Sequence, residues 1–473
     1  MTSVGLEGVR TTVLKRVTPG PERRTQVLAL AEDLRAKVIA AAKEAGVDTE
    51  VRVEGSVAKD TWLSEEPDID IFMRVPTTMP REAFGTICLD IAKRAVNGFK
   101  QVERFAEHPY LESIVDGVVV NIVPCYRVKK GEWKSATDRT PFHTDYARNL
   151  LDKEKCGEIR LLKRFMMGIG VYGAEIKVGG FSGYLCELLV LNYHSFIDVL
   201  RSAADWKRRK IIDLEGYYKG LEEEVEKIFE EPLVIVDPVD KGRNAAAAVR
   251  KTRLYELIVA ARAFLKRPDL AFFYPKPIEQ LQPKRLMITL KDRGSDLIFL
   301  KLGKIEAVPD ILWGQLYKSQ RSLHNMLEQS GFNVIRVCVW SNEEDLNVFV
   351  FEVEQPHLPL LKKHLGPPVR KKAECEKFLL KHLHADHTIS GPRLENGRWV
   401  VEMKRKHTDI VNLFREKLEG GGRGIGIAGH VSGAVAESFE IMIGEEVSEL
   451  YSSDSEFAEF LTEYLDGKPR WLA

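Results

Sequence analysis

The stretch Gly55 to Val75, GSVAKDTWLSEEPDIDIFMRV, constrains this chain more than any other feature. Asp68 and Asp70 lie two apart in a run completed by Ile69, Ile71 and Phe72. That pattern is a strand, so both carboxylates point to one face. Two carboxylates together on an apolar strand repel each other unless a cation lies between them. A pair of Mg²⁺ ions about 3.5–4 Å apart suits phosphoryl transfer, because it stabilises both the attacking and the leaving oxygen. Magnesium is commonly held by one or two carboxylates together with substrate phosphates. Upstream, Glu50 to Glu54 alternates valine with charged residues, as a strand does, and runs into Gly55-Ser56. Glycine lets the backbone approach a phosphate, and the N–H groups at a helix start then hold the anion. Ser56 adds a hydroxyl and Lys59 a charge one turn later. A lone DxD or a lone GS is most often structural or solvated, whereas strand, GS, helix and DxD strand in succession are far more specific.

Around this stretch the pattern is mixed. Pro19, Gly20 and Pro21 break the chain, and Val27, Leu28, Leu30, Ala31, Leu34, Val38, Ile39 and Ala42 then recur at helical spacing up to Gly46. A helix is predicted near Arg81 to Val96, with strands over Gln101 to Glu107, Leu111 to Val115 and Gly117 to Pro124. Residues 1–150 therefore read as one α+β domain. From Glu154 to Lys266 the pattern is mainly helical, which defines a second domain over 151–272. After FFYPKP, short β-like runs at 297, 333 and 346 alternate with amphipathic helices such as WGQLYKSQRSLHNMLEQSG, so 273–473 reads as a C-terminal α/β region with a mixed tail. The fold class is α+β.

Composition narrows the classes further. With 44% hydrophobic residues the chain is too apolar to be disordered, yet no window offers the ~18 uninterrupted apolar residues of a membrane span. Residues 1–16 carry no signal-like apolar stretch, so the expected location is the cytoplasm. Six scattered cysteines without a CxxC pair exclude a zinc ribbon and make a disulfide framework unexpected. Lys+Arg and Asp+Glu both number 70, so whole-molecule basicity is no argument for nucleic acid and local patches must be read separately.

Further runs give a resemblance: AEHPY (106–110), IVPCY (122–126), DRTPFH (138–143), RLLKRF (160–165), VYGAE (171–175), GFSGYLCELL (180–189), VDPVDKGRNAAA (236–247) and ENGRW (395–399). With the GS turn and the carboxylate pair, these resemble the archaeal, class I CCA-adding enzymes, tRNA nucleotidyltransferases of the polymerase β-like superfamily. The likeness is dense from Gly55 to about Pro277 and thinner beyond. It implies a polymerase β-like head, a helical central domain and a C-terminal body and tail that grip tRNA. The implied reaction is template-independent addition of C, C and A to the tRNA 3′ end from CTP and ATP, with Mg²⁺ as cofactor and a homodimer as assembly. By resemblance, Asp68 and Asp70 hold the metals, while Ser56 and Lys59 hold the triphosphate. Lys59 replaces an arginine common in the family, which keeps the charge but loses the bidentate fork. His108, His143, Lys163 and Tyr172 are implied around the phosphates and sugar, and Arg243 with Asn244 at the incoming base.

One residue departs from the family pattern. The third catalytic carboxylate, a metal ligand, falls in the strand GVVVNIVPCY, where this chain has Asn121. An engineered change, a natural variant with weakened catalysis and a non-catalytic descendant all fit, the first being favoured because the surrounding binding residues are present. A non-catalytic tRNA-binding protein and a poly(A)-type polymerase are the competing functions. Of the basic runs, WKRRK (206–210) offers Lys207, Arg208 and Arg209 as tRNA phosphate contacts, although such runs are usually just solvated faces. GRGIGIAG (422–429) contains a literal GxGxxG, but it follows a charged helix and lacks the later acidic residue, so a flexible loop is expected there.

Overall fold

The computed structural model describes residues 3–105, 108–207 and 209–472. The chain forms two compact units, one reaching Pro277 and rejoined by the segment from Lys468 onward, the other Ile278–Gly467.

The first unit opens with α1 (Ser3–Val17) and α2 (Pro21–Glu44). The α2 residues Val27, Ala31, Leu34 and Val38, at helical spacing, are all buried. There follow β1 (Glu50–Glu54), the single turn α3 (Gly55–Ala58), β2 (Asp68–Val75), α4 (Ile87–Ala95), β3 (Lys100–Phe105), β4 (Pro109–Val115) and β5 (Val118–Tyr126). They form one sheet in the order β1-β2-β5-β4-β3, in which only β2 and β5 are parallel. Ile69, Ile71, Leu111, Val120 and Ile122 are fully buried in one core with apolar residues of α2 and α4. Because side chains alternate along a strand, Asp68, Asp70 and Asn121 are turned to the other face.

Beyond the sheet come α5 (Thr140–Leu150), α6 (Lys153–Gly168), α7 (Gly183–Tyr193) and α8 (Phe196–Ala204). The central segment is not only helical. β6 (Lys210–Asp213), α9 (Glu222–Ile228), β7 (Leu233–Asp237) and β8 (Asp240–Asn244) precede α10 (Lys251–Lys266), and the three strands make a sheet in the order β6-β7-β8. The reason is local: β7, LVIVD, is too short for a helix and is buried at every position, as a central strand is. Phe165, Phe196, Phe264 and Phe273 are fully buried and pack ring to ring at 5.5–5.8 Å, mostly edge to face, to centre the helical core.

The second unit contains α11 (Pro283–Asp292), β9 (Asp296–Leu302), α12 (Pro309–Ser330), β10 (Val334–Ser341), β11 (Asn347–Val353), β12 (Leu361–Pro368), α13 (Lys372–His382), β13 (Thr388–Glu395), β14 (Arg398–Lys404), α14 (Ile410–Leu418), α15 (Gly429–Glu437), β15 (Phe439–Ile443), α16 (Ser448–Ser453) and α17 (Ser455–Asp466). It carries an antiparallel sheet β10-β11-β9-β15 and a smaller one, β12-β14-β13. The glycine-rich run is not the expected flexible loop. It follows α14 through short helical turns into α15 and is bonded in place, Ser322 Oγ donating to Gly426 O at 3.0 Å and Ala428 N to Ser319 Oγ at 3.1 Å. No strand precedes it, so the dinucleotide reading is excluded on geometry. All six cysteines are free thiols. Among the described residues no helix is long and apolar enough to cross a membrane.

Candidate active site

Asp68 and Asp70 lie on β2 beside the parallel strand β5, where Asp70 is in register with Asn121. The Asn121 amide lies between the two carboxylates: Nδ2 donates to Asp68 Oδ1 at 2.9 Å and to Asp70 Oδ1 at 3.2 Å. Burial, followed by the charges of Asp70 and Glu112, pushes Asp68 up to about 8. Burial also raises Asp70, against the pull of the Asn121 hydrogen bond and of Lys59 and Lys163. A neutral amide thus leaves the pair short of positive charge, which is what a divalent cation supplies. The Asp68 and Asp70 carboxylates offer hard oxygen donors, so these two residues fit Mg²⁺.

The turn that brings Ser56 and Lys59 to the same cavity as this pair depends on Gly55. Its φ is +67°, and a Cβ there would lie 1.9 Å from Asp70 Oδ2, so no other residue fits without moving the carboxylate. Arg160 secures the loop that follows α3, donating to Trp62 O at 2.9 Å, to Asp60 O at 2.7 Å and to Asp60 Oδ1 at 2.6 Å. Lys59 leads into that loop, and its Nζ donates to Glu187 Oε2 on α7 at 2.6 Å. Lys163 on α6 donates to Thr61 O and Oγ1 at 3.0 and 3.1 Å and lies 3.9 Å from Glu187 Oε1. Burial works against a charged Glu187, yet the two ammoniums overcome it and hold the carboxyl below its ordinary range. Ser182 caps α7 by accepting from Leu185 N, which turns the positive end of that helix toward the same space.

These groups line one cavity of about 680 Å³, bounded by Gly55, Ser56, Lys59, Asp68, Asp70, His143, Lys163, Tyr172, Gly183, Tyr184 and Glu187 among others. On one wall His143 stacks on Tyr184 with centroids 4.2 Å apart and bonds Asp237 Oδ2 through Nε2 at 2.9 Å. Burial lowers the His143 pKa, against the opposing pull of Asp237. Arg243 Nη1 donates to the same Asp237 oxygen at 2.6 Å. The cavity thus collects a carboxylate pair, two buried lysines, a helix N-terminus and an aromatic wall, the kinds of group a metal–triphosphate site requires.

Comparison with known families agrees with this geometry. The nucleotidyltransferase domain model matches residues 35–143, the second domain of tRNA nucleotidyltransferase matches 157–274, and the C-terminal domain of the CCA-adding enzyme matches 293–444. The CCA-adding enzyme of Methanosarcina barkeri is 37% identical over 439 residues, covering 92% of this chain and 94% of its own length. That of Methanothermobacter thermautotrophicus is 36% identical over 457 residues, covering 96% and 97%. The chain belongs to the CCA-adding enzyme family. Another member, from Pyrobaculum islandicum, is 39% identical over 414 residues, 87% of this chain and 94% of that one. Among solved structures, a Cid1 poly(U) polymerase aligns with 55% of this chain and 94% of its own at 15% identity and a TM-score of 0.44, too distant to bear on function.

For this CCA-adding family member the cavity collects Ser56, Lys59, Asp68, Asp70, His143, Lys163 and Tyr172 from the residues singled out in the sequence. Asn121 joins through its bonds to the pair, and Arg243 through Asp237. Two others are placed elsewhere. His108 is only 2% exposed, bonds Thr137 Oγ1 through Nε2 at 2.7 Å and packs edge-on to Phe84. Asn244 is a structural bracket: its Oδ1 accepts from Ile235 N and Ala246 N at 2.9 Å and its Nδ2 donates to Leu233 O at 3.0 Å, which spends the side chain inside the β6–β8 sheet. Of the basic run, Lys207 is exposed, Arg209 donates to the backbone oxygens of Glu231 and Glu226, and Arg208 lies outside the described residues. Glu187 and Asp237 were missed, although both lie in quoted motifs. A carboxylate four residues into an apolar helix, followed by a buried Asp at a strand end, was the available signal.

Proposed function

We propose that the chain adds C, C and A in turn to the 3′ end of tRNA from CTP and ATP, without a nucleic-acid template, and releases pyrophosphate at each step. The observation that carries this reading is one cavity lined by the Asp68/Asp70 pair, by Lys59 and Lys163 and by Gly183 at the α7 N-terminus. Asp68 and Asp70 would hold Mg²⁺, which when bound lowers the pKa of the attacking 3′-hydroxyl and offsets charge on the phosphate oxygens. Ser56, the α3 backbone and the two lysines bind the triphosphate, so the α-phosphorus faces the carboxylate pair for in-line attack. Tyr184, stacked on His143, offers a flat wall to the nucleotide. Arg243, oriented by Asp237, reads the base edge with its fork. Asn121 stands where the family's third carboxylate falls by resemblance, and its neutral amide favours a slower catalyst. A homodimer, on the same resemblance, and a cytoplasmic location, on the scattered cysteines, complete the proposal.

The test is to incubate a tRNA lacking its terminal CCA with CTP, ATP and Mg²⁺ and to sequence the product 3′ ends. Products ending in CCA support the proposal. An A-tail indicates a poly(A)-type polymerase, and binding without extension indicates a non-catalytic tRNA-binding protein. Asp68→Ala or Asp70→Ala should abolish incorporation with tRNA affinity held within a few-fold, since phosphate contacts elsewhere hold the tRNA. Near-normal incorporation by either variant would remove the pair from the mechanism.

A further inference from the structure

Glu187 is a carboxylate inside a site arranged for anions. It is 1% exposed, and both oxygens are engaged: Oε2 by the cavity-lining Lys59 Nζ at 2.6 Å and Oε1 by the fully buried Thr61 Oγ1 at 2.8 Å, with the cavity-lining Lys163 Nζ at 3.9 Å from Oε1. Lys59 is 8% exposed and Lys163 3%, so neither ammonium is solvated enough to rest without a counter-charge. In the ligand-free cavity Glu187 supplies that counter-charge. A triphosphate entering the same space competes with it for the same N–H donors and is repelled by it.

We propose that Glu187 is an internal competitor of the triphosphate: it takes the lysines back after each addition and so speeds departure of pyrophosphate. This rests on the proposed function, which places the triphosphate against Lys59 and Lys163. The consequence is specific. Tight, uniform binding of the phosphates lowers KM without helping the chemical step, and an enzyme that repeats the addition on one tRNA must clear pyrophosphate every time. A carboxylate that stabilises the empty site and destabilises the filled one limits that retention. A scaffold carboxylate, or one that merely keeps the lysines charged, would have the opposite sign: its removal would weaken phosphate binding or leave it unchanged.

The experiment measures inorganic pyrophosphate binding by calorimetry, and CTP incorporation in parallel, for the full chain and for Glu187→Gln. The amide retains shape and can still accept from Thr61, but it carries no charge. Pyrophosphate should bind the variant about tenfold or more tightly, the scale of one unit-charge interaction over several ångströms in a protein-like medium. KM for CTP should fall with it, and kcat should fall after a pre-steady-state burst, because product leaves slowly. Equal or weaker pyrophosphate binding overturns the inference. Should Glu187→Gln fail to fold, Glu187→Asp shortens the reach to Lys59 by one methylene and should shift affinity in the same direction by less, with an unchanged or weaker affinity again overturning it. A native chain that neither binds pyrophosphate nor extends tRNA counts against the proposed function. A native chain that does both, beside variants that do not tighten, counts against the role of Glu187 alone.

Discussion

At the scale of single residues, the Asp68/Asp70 pair depends on what stands beside it. Gly55 has φ +67° and no room for a Cβ within 1.9 Å of Asp70 Oδ2. Gly55→Ala should therefore cost roughly 1–2 kcal/mol in backbone conformation. By displacing the carboxylate it should also slow nucleotide addition about a hundredfold. Single-turnover rates beside thermal melts would check both parts, with an unimpaired rate showing that the turn yields without cost to the site. Asn121 donates to both aspartates, so its replacement acts in two directions. With Mg²⁺ present, Asn121→Asp should raise the addition rate constant about a hundredfold or more with little change in CTP or ATP affinity, if a charged group is what the site lacks. Without divalent ions the same change should lower the melting temperature, because three carboxylates then share one buried position. The native chain has a related pH signature. With Asp68 raised to about 8, the folded state holds a proton that the unfolded chain releases. That stabilisation is complete below the ordinary aspartate range and is lost as pH rises to about 8. Melts at increasing pH should show this decline without Mg²⁺ and a smaller one with it. Parallel curves would mean that the pair binds no metal.

At the scale of elements, the β6–β8 sheet gives two adjacent residues opposite surroundings. Its β8 strand ends in Arg243 and Asn244, adjacent residues with different work. Arg243 reaches out to Asp237, whereas Asn244 is bonded inward to Ile235, Ala246 and Leu233. Asn244→Ala should remove three buried hydrogen bonds and destabilise the chain by about 2–3 kcal/mol. Among molecules that remain folded, the choice between nucleotides should be preserved. Arg243→Ala should instead blur discrimination against UTP and GTP, since the proposed function assigns its fork to the base edge. Incorporation from all four nucleotides, measured for both variants, separates the roles. Altered selectivity in Asn244→Ala would return that side chain to the base-reading wall.

At the scale of the whole molecule, the first unit is closed by residues from the far end of the chain. Trp471 is 6% exposed and stacks on Phe272 at 5.2 Å, and Arg470 donates to Lys276 O at 2.8 Å. The aromatic core that positions α6, and with it Lys163, is thus completed by the last few residues. Trp471→Ala should cost the first unit about 3–5 kcal/mol and leave the second unit's transition in place. Calorimetry of the full chain should show one transition moving and the other unmoved. A common shift of both would mean that the two units unfold together.

The sequence alone determined what short-range spacing can encode. The GS turn, the two-residue spacing of Asp68 and Asp70 and the alternation in β1 each depend on neighbours a few positions apart, and strand periodicity by itself puts both aspartates on one face. The α2 helix was legible for the same reason, its buried positions repeating every three or four residues. Tertiary structure decided what depends on residues distant in sequence. The pairing of Lys59 with Glu187 spans 128 positions and that of His143 with Asp237 spans 94. No local pattern distinguishes a buried carboxylate that holds a lysine from one that faces solvent. The same limit hid the difference between Arg243 and Asn244, because which of two adjacent polar residues turns inward is decided by the strand each meets. It also placed His108 against Thr137 and Phe84 rather than in the cavity, a matter of packing around the sheet that a motif shared with a family does not record.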